Sequence, residues 1–403
     1  MKGKVGLWLV GALGGVGTTT AVGLSAIRQG IAETTGLATE LPMFKEVDLP
    51  AWENFVVGGH DVRKGDFNTA AKELQSLSGI FSDSLLHAVQ SDLETWSDNL
   101  RPGIVVGASE TVRSIADWYL ESEPKSDAEL IAAIQRDFED FRERHGCEQV
   151  VVVNVTSSEP TPEPSEYLES RAALEAALER GESGILPASS LYGLAALRAG
   201  CPYVNFTPSA GLTPPAVKEI ADSLGVPYAG QDGKTGETLL KTVLAPMFLY
   251  RNLKVLSWVG HNILGNRDGQ VLDDPRNKQG KLKSKDRVVE EILGYRPQTH
   301  VSIEYIRSLQ DWKTAWDFIH FEGFLGTKMT LQFTWHGSDS ILAAPLVLDL
   351  ARLAAWESAQ GSQGALVHLA VFFKSPLGGA PHNLFEQFVM LEERMKQVRK
   401  VGR

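Results

Sequence analysis

Residues 4–20, KVGLWLVGALGGVGTTT, decide the fold. Lys4–Val10 is a short apolar run with strand propensity. Gly11, Gly14, Gly15 and Gly17 follow it, and residues 21–28 have helical composition. A strand that feeds a helix through glycines lets the main chain approach a pyrophosphate, whose charge then rests at the positive end of the helix. The spacing here is G-x-x-G-x-x-G rather than G-x-G-x-x-G. No acidic residue stands at a strand end about 20 positions on, where ribose recognition wants one. Asp61, in Val57-Gly-Gly-His-Asp61 after the next apolar run, is the substitute.

Similar buried runs recur at 55–57, 104–106, 150–153 and 203–206, and helical patterns occupy 127–144, 166–180 and 189–198. Strands alternating with helices predict an α/β fold whose parallel sheet is covered on both faces. Residues 156–165, with Pro160, Pro162 and Pro164, read as a loop at a strand's carboxyl end, where such folds bind ligands. After about residue 238 the texture changes. Runs 254–259, 300–306 and 329–335 look like longer, partly alternating strands of a mixed sheet, before helical patterns return at 341–356 and 383–398. The layout is one α/β domain interrupted by a β-rich insertion.

Composition narrows the partners. Of 403 residues, 43% are hydrophobic and 22% charged, an ordinary globular mix. Thirty-nine Lys and Arg against 50 Asp and Glu leave a net charge of −11, which opposes nucleic-acid and anionic-membrane partners. No apolar stretch approaches the roughly 20 residues of a membrane span. Two cysteines, Cys147 and Cys201, cannot build a disulfide framework, so a reducing compartment is expected. Residues 1–27 have the outline of a signal peptide, but the glycines and Thr18, Thr19 and Thr20 oppose that, and a cytoplasmic location is expected.

The stretch 14–20 also has the glycine and threonine content of a nucleoside-triphosphatase loop. Such loops need a lysine on the phosphates. Thr18 stands at that position, and Leu13 stands where ParA-like ATPases have a second lysine. Farther on, Arg276, Lys278, Lys281, Lys283, Lys285 and Arg287 form a basic run with one acid, Asp286. A solvated loop is the plain reading of such a run, and a phosphate-sized anion is the better ligand than nucleic acid because no aromatics interleave it. On a helix Lys281 and Lys285 would share a face, each lowering the other's pKa and favouring proton transfer. Polar anchors recur in 231–236, 264–269, 338–340 and 373–376.

Taken in order, these stretches resemble the inositol-phosphate synthase family. Its most specific words are Asn262-Ile-Leu-Gly-Asn266-Arg-Asp268-Gly, Ser284-Lys285-Asp-Arg-Val-Val-Glu-Glu291 and Asp339-Ser-Ile-Leu-Ala-Ala-Pro345-Leu-Val-Leu-Asp-Leu350. The resemblance implies a Rossmann-like NAD-binding domain, 1–238 and 343–403, interrupted at 239–342 by an α+β domain. That second domain has a large mixed sheet and serves catalysis and homotetramer assembly. The implied reaction is isomerisation of the sugar phosphate glucose 6-phosphate to myo-inositol 1(3)-phosphate by oxidation at C5, enolisation, aldol closure and reduction. Position by position, Lys281, Lys285, Lys313 and Lys374 take the family's lysine places. Lys281 and Lys374 suit proton transfer and oxyanion stabilisation around C5 and C1, while Lys285 and Lys313 lie closer to phosphate and enolate. Asp232, Asn266, Asp268 and Asp339 match positions near the nicotinamide and the substrate hydroxyls. Gly11, Gly14, Gly15, Val16, Gly17, Thr18, Asp61, Ser157 and Thr235 match cofactor positions, which Asp232, Asp268 and Asp339 also serve. A monovalent or divalent cation is left open as a second cofactor; the sequence has no zinc-type His/Cys set.

The chain departs from the family pattern at several places. Gly15-Val16 replaces two asparagines, leaving the main chain to hold the diphosphate. His60 replaces tryptophan, Thr235 replaces serine, and Glu237 replaces glutamine and is expected to add charge near the cofactor. Thr207-Pro208-Ser209-Ala210 replaces Ser-Pro-Gln-Asn, removing two amides from the substrate cleft. The alternative reading is therefore an NAD-dependent oxidoreductase or cyclase acting on a different sugar phosphate. A non-catalytic NAD-binding or assembly protein would have no use for four converging lysines.

Overall fold

The computed structural model describes residues 3–120, 125–266, 269 and 288–401. Eight parallel strands form the first sheet: β1 (Lys4–Val10), β2 (Phe55–Asp61), β3 (Leu100–Ile104), β4 (Tyr119–Leu120), β5 (Cys147–Asn154), β6 (Tyr203–Asn205), β7 (Pro227–Gly230) and β12 (Gly364–Ala365). Their order is β12-β7-β6-β5-β1-β2-β3-β4, so the chain reverses its direction of travel between β1 and β5. That reversal opens a crevice at the carboxyl ends of both strands. β1 is buried from Val5 to Val10 and β5 from Val150 to Asn154, as continuous apolar strands covered on both faces should be.

One face packs under the helices Gly15–Arg28, Asp83–Ser97 and Asp339–Ala359, with Leu24, Leu93 and Leu353 fully buried. The other packs under Asp127–His145 and Ala188–Arg198, through Phe138, Leu191 and Tyr203. Ser126 and Glu129 close a reciprocal capping box on the first of these two helices, and Gly146 ends it in the left-handed conformation.

The second sheet has the order β11-β10-β8-β9, from β8 (Lys254–Leu264), β9 (Gln298–Tyr305), β10 (Trp312–Glu322) and β11 (Lys328–Ser338). β8 and β9 are parallel and the other pairs antiparallel, which makes the sheet mixed as expected. The sequence reading missed β10. Its inner face packs Trp258 and Ile319 against Phe248 of the helix Gly236–Tyr250 and against Val289 and Ile292. Its outer face is half-exposed and aromatic: His261 stacks on Trp316 at 5.7 Å and Trp312 on His336 at 5.2 Å. At the β10–β11 tip Phe324 and Leu325 are 87% and 85% exposed. Among the described residues no helix is long and apolar enough to cross a membrane.

His60, next to Asp61 at the end of β2, is buried. The Trp8 indole donates to its Nδ1 at 2.8 Å, so Nε2 carries the proton and faces Asp137 at 3.0 Å. Burial lowers the His60 pKa below its ordinary 6.5, against the pull of Asp137. Below pH 6.5 the unfolded chain therefore takes up a proton that the native state resists, and stability falls as the pH drops through the folded-state value. Urea unfolding midpoints should decline from pH 6.5 to 5. His60→Gln, which preserves both hydrogen bonds without titrating, should flatten the decline, and an unchanged pH dependence would remove His60 from it.

Candidate active site

The crevice continues into the face of the second sheet as one cleft of about 1000 Å³. Its floor is the glycine loop. Gly11 has φ +89°, a conformation that strains any residue with a Cβ. A Cβ on Gly17 would lie 2.5 Å from the Ala12 carbonyl oxygen, so only glycine lets the first helical turn pack on the loop. Gly14 caps that helix without any side-chain bond to its amides. The Thr18 hydroxyl is buried beside them with no hydrogen-bond partner among the described residues. Free N–H groups, an orphan hydroxyl and an approachable backbone fit the diphosphate of a dinucleotide.

Gly11, Gly14, Gly15, Val16, Thr18, Asp61, Ser157 and Thr235 all line this cleft, as do Asp232, Asn266, Lys313, Asp339 and Lys374. Gly17 is not at the surface of the cleft; it serves packing. Asp268, Lys281 and Lys285 lie outside the described residues. Asp61 is turned toward the loop: its carboxylate accepts from the amides of Leu13 at 2.7 Å and Arg63 at 2.9 Å. Burial raises its pKa while those bonds and Arg63 hold it down. Glu237 does not line the cleft. It is buried and paired at 2.7 Å with Lys241, which is also within 4.0 Å of Asp317, so its charge is neutralised beneath the site.

Two acid–amine pairs line the cleft. Lys374 Nζ donates to Asp232 Oδ1 at 2.8 Å, and Asp232 Oδ2 is buried without a hydrogen-bond partner among the described residues. Lys313 Nζ stands 3.5 Å from Asp339 Oδ1, while the Asn266 amide donates to Asp339 Oδ2 at 3.4 Å. Lys313 enters from β10, and Asp339 opens the first turn of its helix, where the dipole favours a carboxylate. The Thr207–Ala210 loop, short of two amides, is held by another: Gln231 Nε2 donates to the carbonyls of Pro208 at 2.8 Å and Ser209 at 2.6 Å.

The sequence reading missed two lining residues. Asp311 accepts from the hydroxyls of Ser338 and, at 2.7 Å, Ser340, and its Oδ1 would sit 3.6 Å from a Cβ on Gly15. Burial raises its pKa, and the charge of Asp339 adds to this. It stands immediately before β10, two positions ahead of Lys313. Arg307 lines the rim exposed, and among the described residues its side chain has no ion-pair or hydrogen-bond partner. Among the described residues no group of three or more His, Cys, Asp or Glu is arranged to hold a metal.

The profile of the myo-inositol-1-phosphate synthase family matches residues 5–396. An inositol-3-phosphate synthase 1 of Bacteroides thetaiotaomicron is 32% identical over 98% of this chain and 96% of its own length. The Dictyostelium discoideum inositol-3-phosphate synthase is 26% identical over 87% of this chain and 74% of its length. Among solved structures, inositol-3-phosphate synthase from Caenorhabditis elegans superposes with a TM-score of 0.89 at 23% identity, over 99% of this chain and 86% of that one. A myo-inositol-1-phosphate synthase-related protein from Thermotoga maritima gives 0.78 at 21% identity, over 98% of both chains. The structural likenesses establish a shared fold.

Gln310, on the cleft wall, has φ +54°, where a side chain is strained. Relief of such strain is worth about 1–3 kcal/mol. Gln310→Gly should therefore raise the unfolding midpoint in urea at unchanged slope; a lower midpoint would mean that the Gln310 side chain contributes more than its backbone costs.

Proposed function

The chain belongs to the myo-inositol-1-phosphate synthase family, and we propose on that premise how its residues carry the reaction. The protein is an NAD-dependent enzyme that converts glucose 6-phosphate to inositol phosphate. The observation that joins this reaction to the cleft is the pair of amines, Lys374 and Lys313, that open beside the glycine loop, each with its own carboxylate.

The glycine loop, with Gly11, Gly14, Gly15 and Thr18, would hold NAD, which would supply reversible hydride chemistry with no net redox change. The chain supplies the charge and the protons. We assign Lys374 and Lys281 to proton transfer and to the oxyanions that develop at C5 and C1. Preorganised ammonium groups there stabilise charge only as it forms. The free oxygen of Asp232 accepts from a substrate hydroxyl, and its bond to Lys374 fixes which way the amine points. Lys313 and Lys285 serve the phosphate and the enolate, and Asn266, Asp268 and Asp339 the hydroxyls and the nicotinamide side. Arg307, the cleft cation with no carboxylate of its own among the described residues, is suited to the phosphate at the rim.

The wider assignments rest on supports of the same kind. Residues 1–238 and 343–403 form the NAD-binding domain and residues 239–342 the catalytic and assembly domain, with Asp232 and Lys374 contributed to the cleft from the first. The half-exposed aromatic face of the second sheet and the bare Phe324–Leu325 tip support homotetramer formation through that region. Two buried free thiols suit the cytoplasm.

Incubation with glucose 6-phosphate and NAD⁺ should yield an inositol phosphate, detected by periodate-released phosphate, without NADH accumulating; stoichiometric NADH would make the protein a plain dehydrogenase. Lys281→Ala and Lys374→Ala should each abolish turnover while NAD⁺ binding stays intact, and joint loss of binding would make those lysines structural. Loss of a charge-assisted bond costs about 1.5–3 kcal/mol, so Arg307→Ala should raise KM about ten- to a hundredfold at similar kcat. An unchanged KM would remove Arg307 from the phosphate.

A further inference from the structure

The turn that carries Asp232 is unusual in three respects. Asp232 itself has φ +64°, in the left-handed region that few residues other than glycine, asparagine and aspartate adopt. Residues 231–234 run antiparallel to 372–375. The Gln231 amide donates to the Ser375 carbonyl at 3.0 Å, that of Ser375 to Gln231 at 3.1 Å, that of Lys374 to Asp232 at 2.7 Å and that of Lys234 to Phe372 at 2.8 Å. The third respect is Lys234, whose side chain turns away from the cleft. It is 3% exposed, and its Nζ donates to Oε1 of Gln387 in the helix Leu384–Val401. Gln387 is itself fully buried, and its own amide nitrogen donates to the Pro381 carbonyl at 2.6 Å, which fixes its oxygen toward the lysine.

Among the described residues no carboxylate pairs with Lys234, and burial alone brings its pKa down to about 7. For packing alone, a methionine would fill this space without the desolvation that a buried amine costs. The amine does what a methionine cannot: it ties the backbone two residues after Asp232 to a fixed acceptor on the terminal helix. We propose that Lys234 is a positioning residue, which through Gln387 makes the C-terminal helix hold the Asp232 turn so that the carboxylate meets Lys374. The proposal rests on the reading of Asp232 and Lys374 as site residues.

The test uses the full chain with K234M and Q387L, and with R394M as the comparison. Arg394 anchors the same helix elsewhere, by two hydrogen bonds to buried Glu357, and takes no part in the clasp. K234M should lower kcat about a hundredfold, the scale set by a misplacement of about 1 Å at a reacting group. NAD⁺ affinity, followed by tryptophan fluorescence, should stay within about threefold. K234M removes a buried amine without a counter-ion but leaves the Gln387 oxygen unpaired, so its melting temperature should fall less than that of R394M, which strands buried Glu357. Amides of 231–234 and 372–375 should exchange faster in K234M and Q387L. R394M should melt lower yet keep its kcat at a temperature well below that transition. The proposal is overturned if K234M keeps kcat within about threefold of the parent, or if R394M loses as much activity as K234M. Q387L carries the same comparison should K234M not fold. If the parent protein does not turn over glucose 6-phosphate, the substrate reading fails. Amide exchange then decides the inference separately: unchanged protection of the clasp in K234M rejects it.

Discussion

Asp232 and Lys374 are 142 positions apart in the chain and 2.8 Å apart in space, and the site depends on the short antiparallel clasp that brings them together. An exposed ion pair could not do this work, because such pairs contribute little and wander. Here the two side chains are 5% and 11% exposed, and their backbones are joined by hydrogen bonds on both sides of the pair. Breaking one partner of a buried pair strands the other charge, at a cost of about 3–5 kcal/mol. The clasp thus converts a long loop closure into a local geometry that tolerates little drift.

Charge in the cleft is distributed by the same logic. Lys374 answers Asp232, Lys313 answers Asp339, and Arg63 lies between Asp61 and Glu73. Beneath them Lys241 answers Glu237. Each ammonium is oriented before a substrate arrives, so little reorganisation is left for the reaction itself. In a chain with a net charge of −11, this pairing cancels the charge of the cleft carboxylates it involves, so that they do not repel an anion.

What could be read from the sequence was local. The glycine loop, β1 and β5 announce themselves because burial on both faces demands unbroken apolar runs. β10 escaped because Trp312, Trp316, Phe318 and His320 face outward, so its aromatic residues do not mark the core and the alternation is blurred. Asp61 was found as an acid near the loop, but its engagement with the Leu13 amide belongs to tertiary structure. Glu237 reads as added charge near the cofactor, but its partner Lys241 lies one helical turn on and pairs with it inside the fold. The gathering of Asp232, Lys313, Asp339 and Lys374 came from resemblance to a family, since no spacing rule connects residues so far apart. Lys234 and Arg307 are ordinary letters in the sequence; burial without a counter-ion distinguishes the first, and exposure at a cleft rim the second.

The first sheet is completed late. β12 at its edge, the Asp339–Ala359 helix that covers one face, and the segment that closes on Asp232 all follow the second sheet in the chain. The dinucleotide loop is made before its counterpart, so the strands around it emerge with one flank bare until the second sheet and the residues that follow it have been made. Loss of the Asp339–Ala359 helix or of β12 would therefore strip the cover from strands that lie far earlier in the chain.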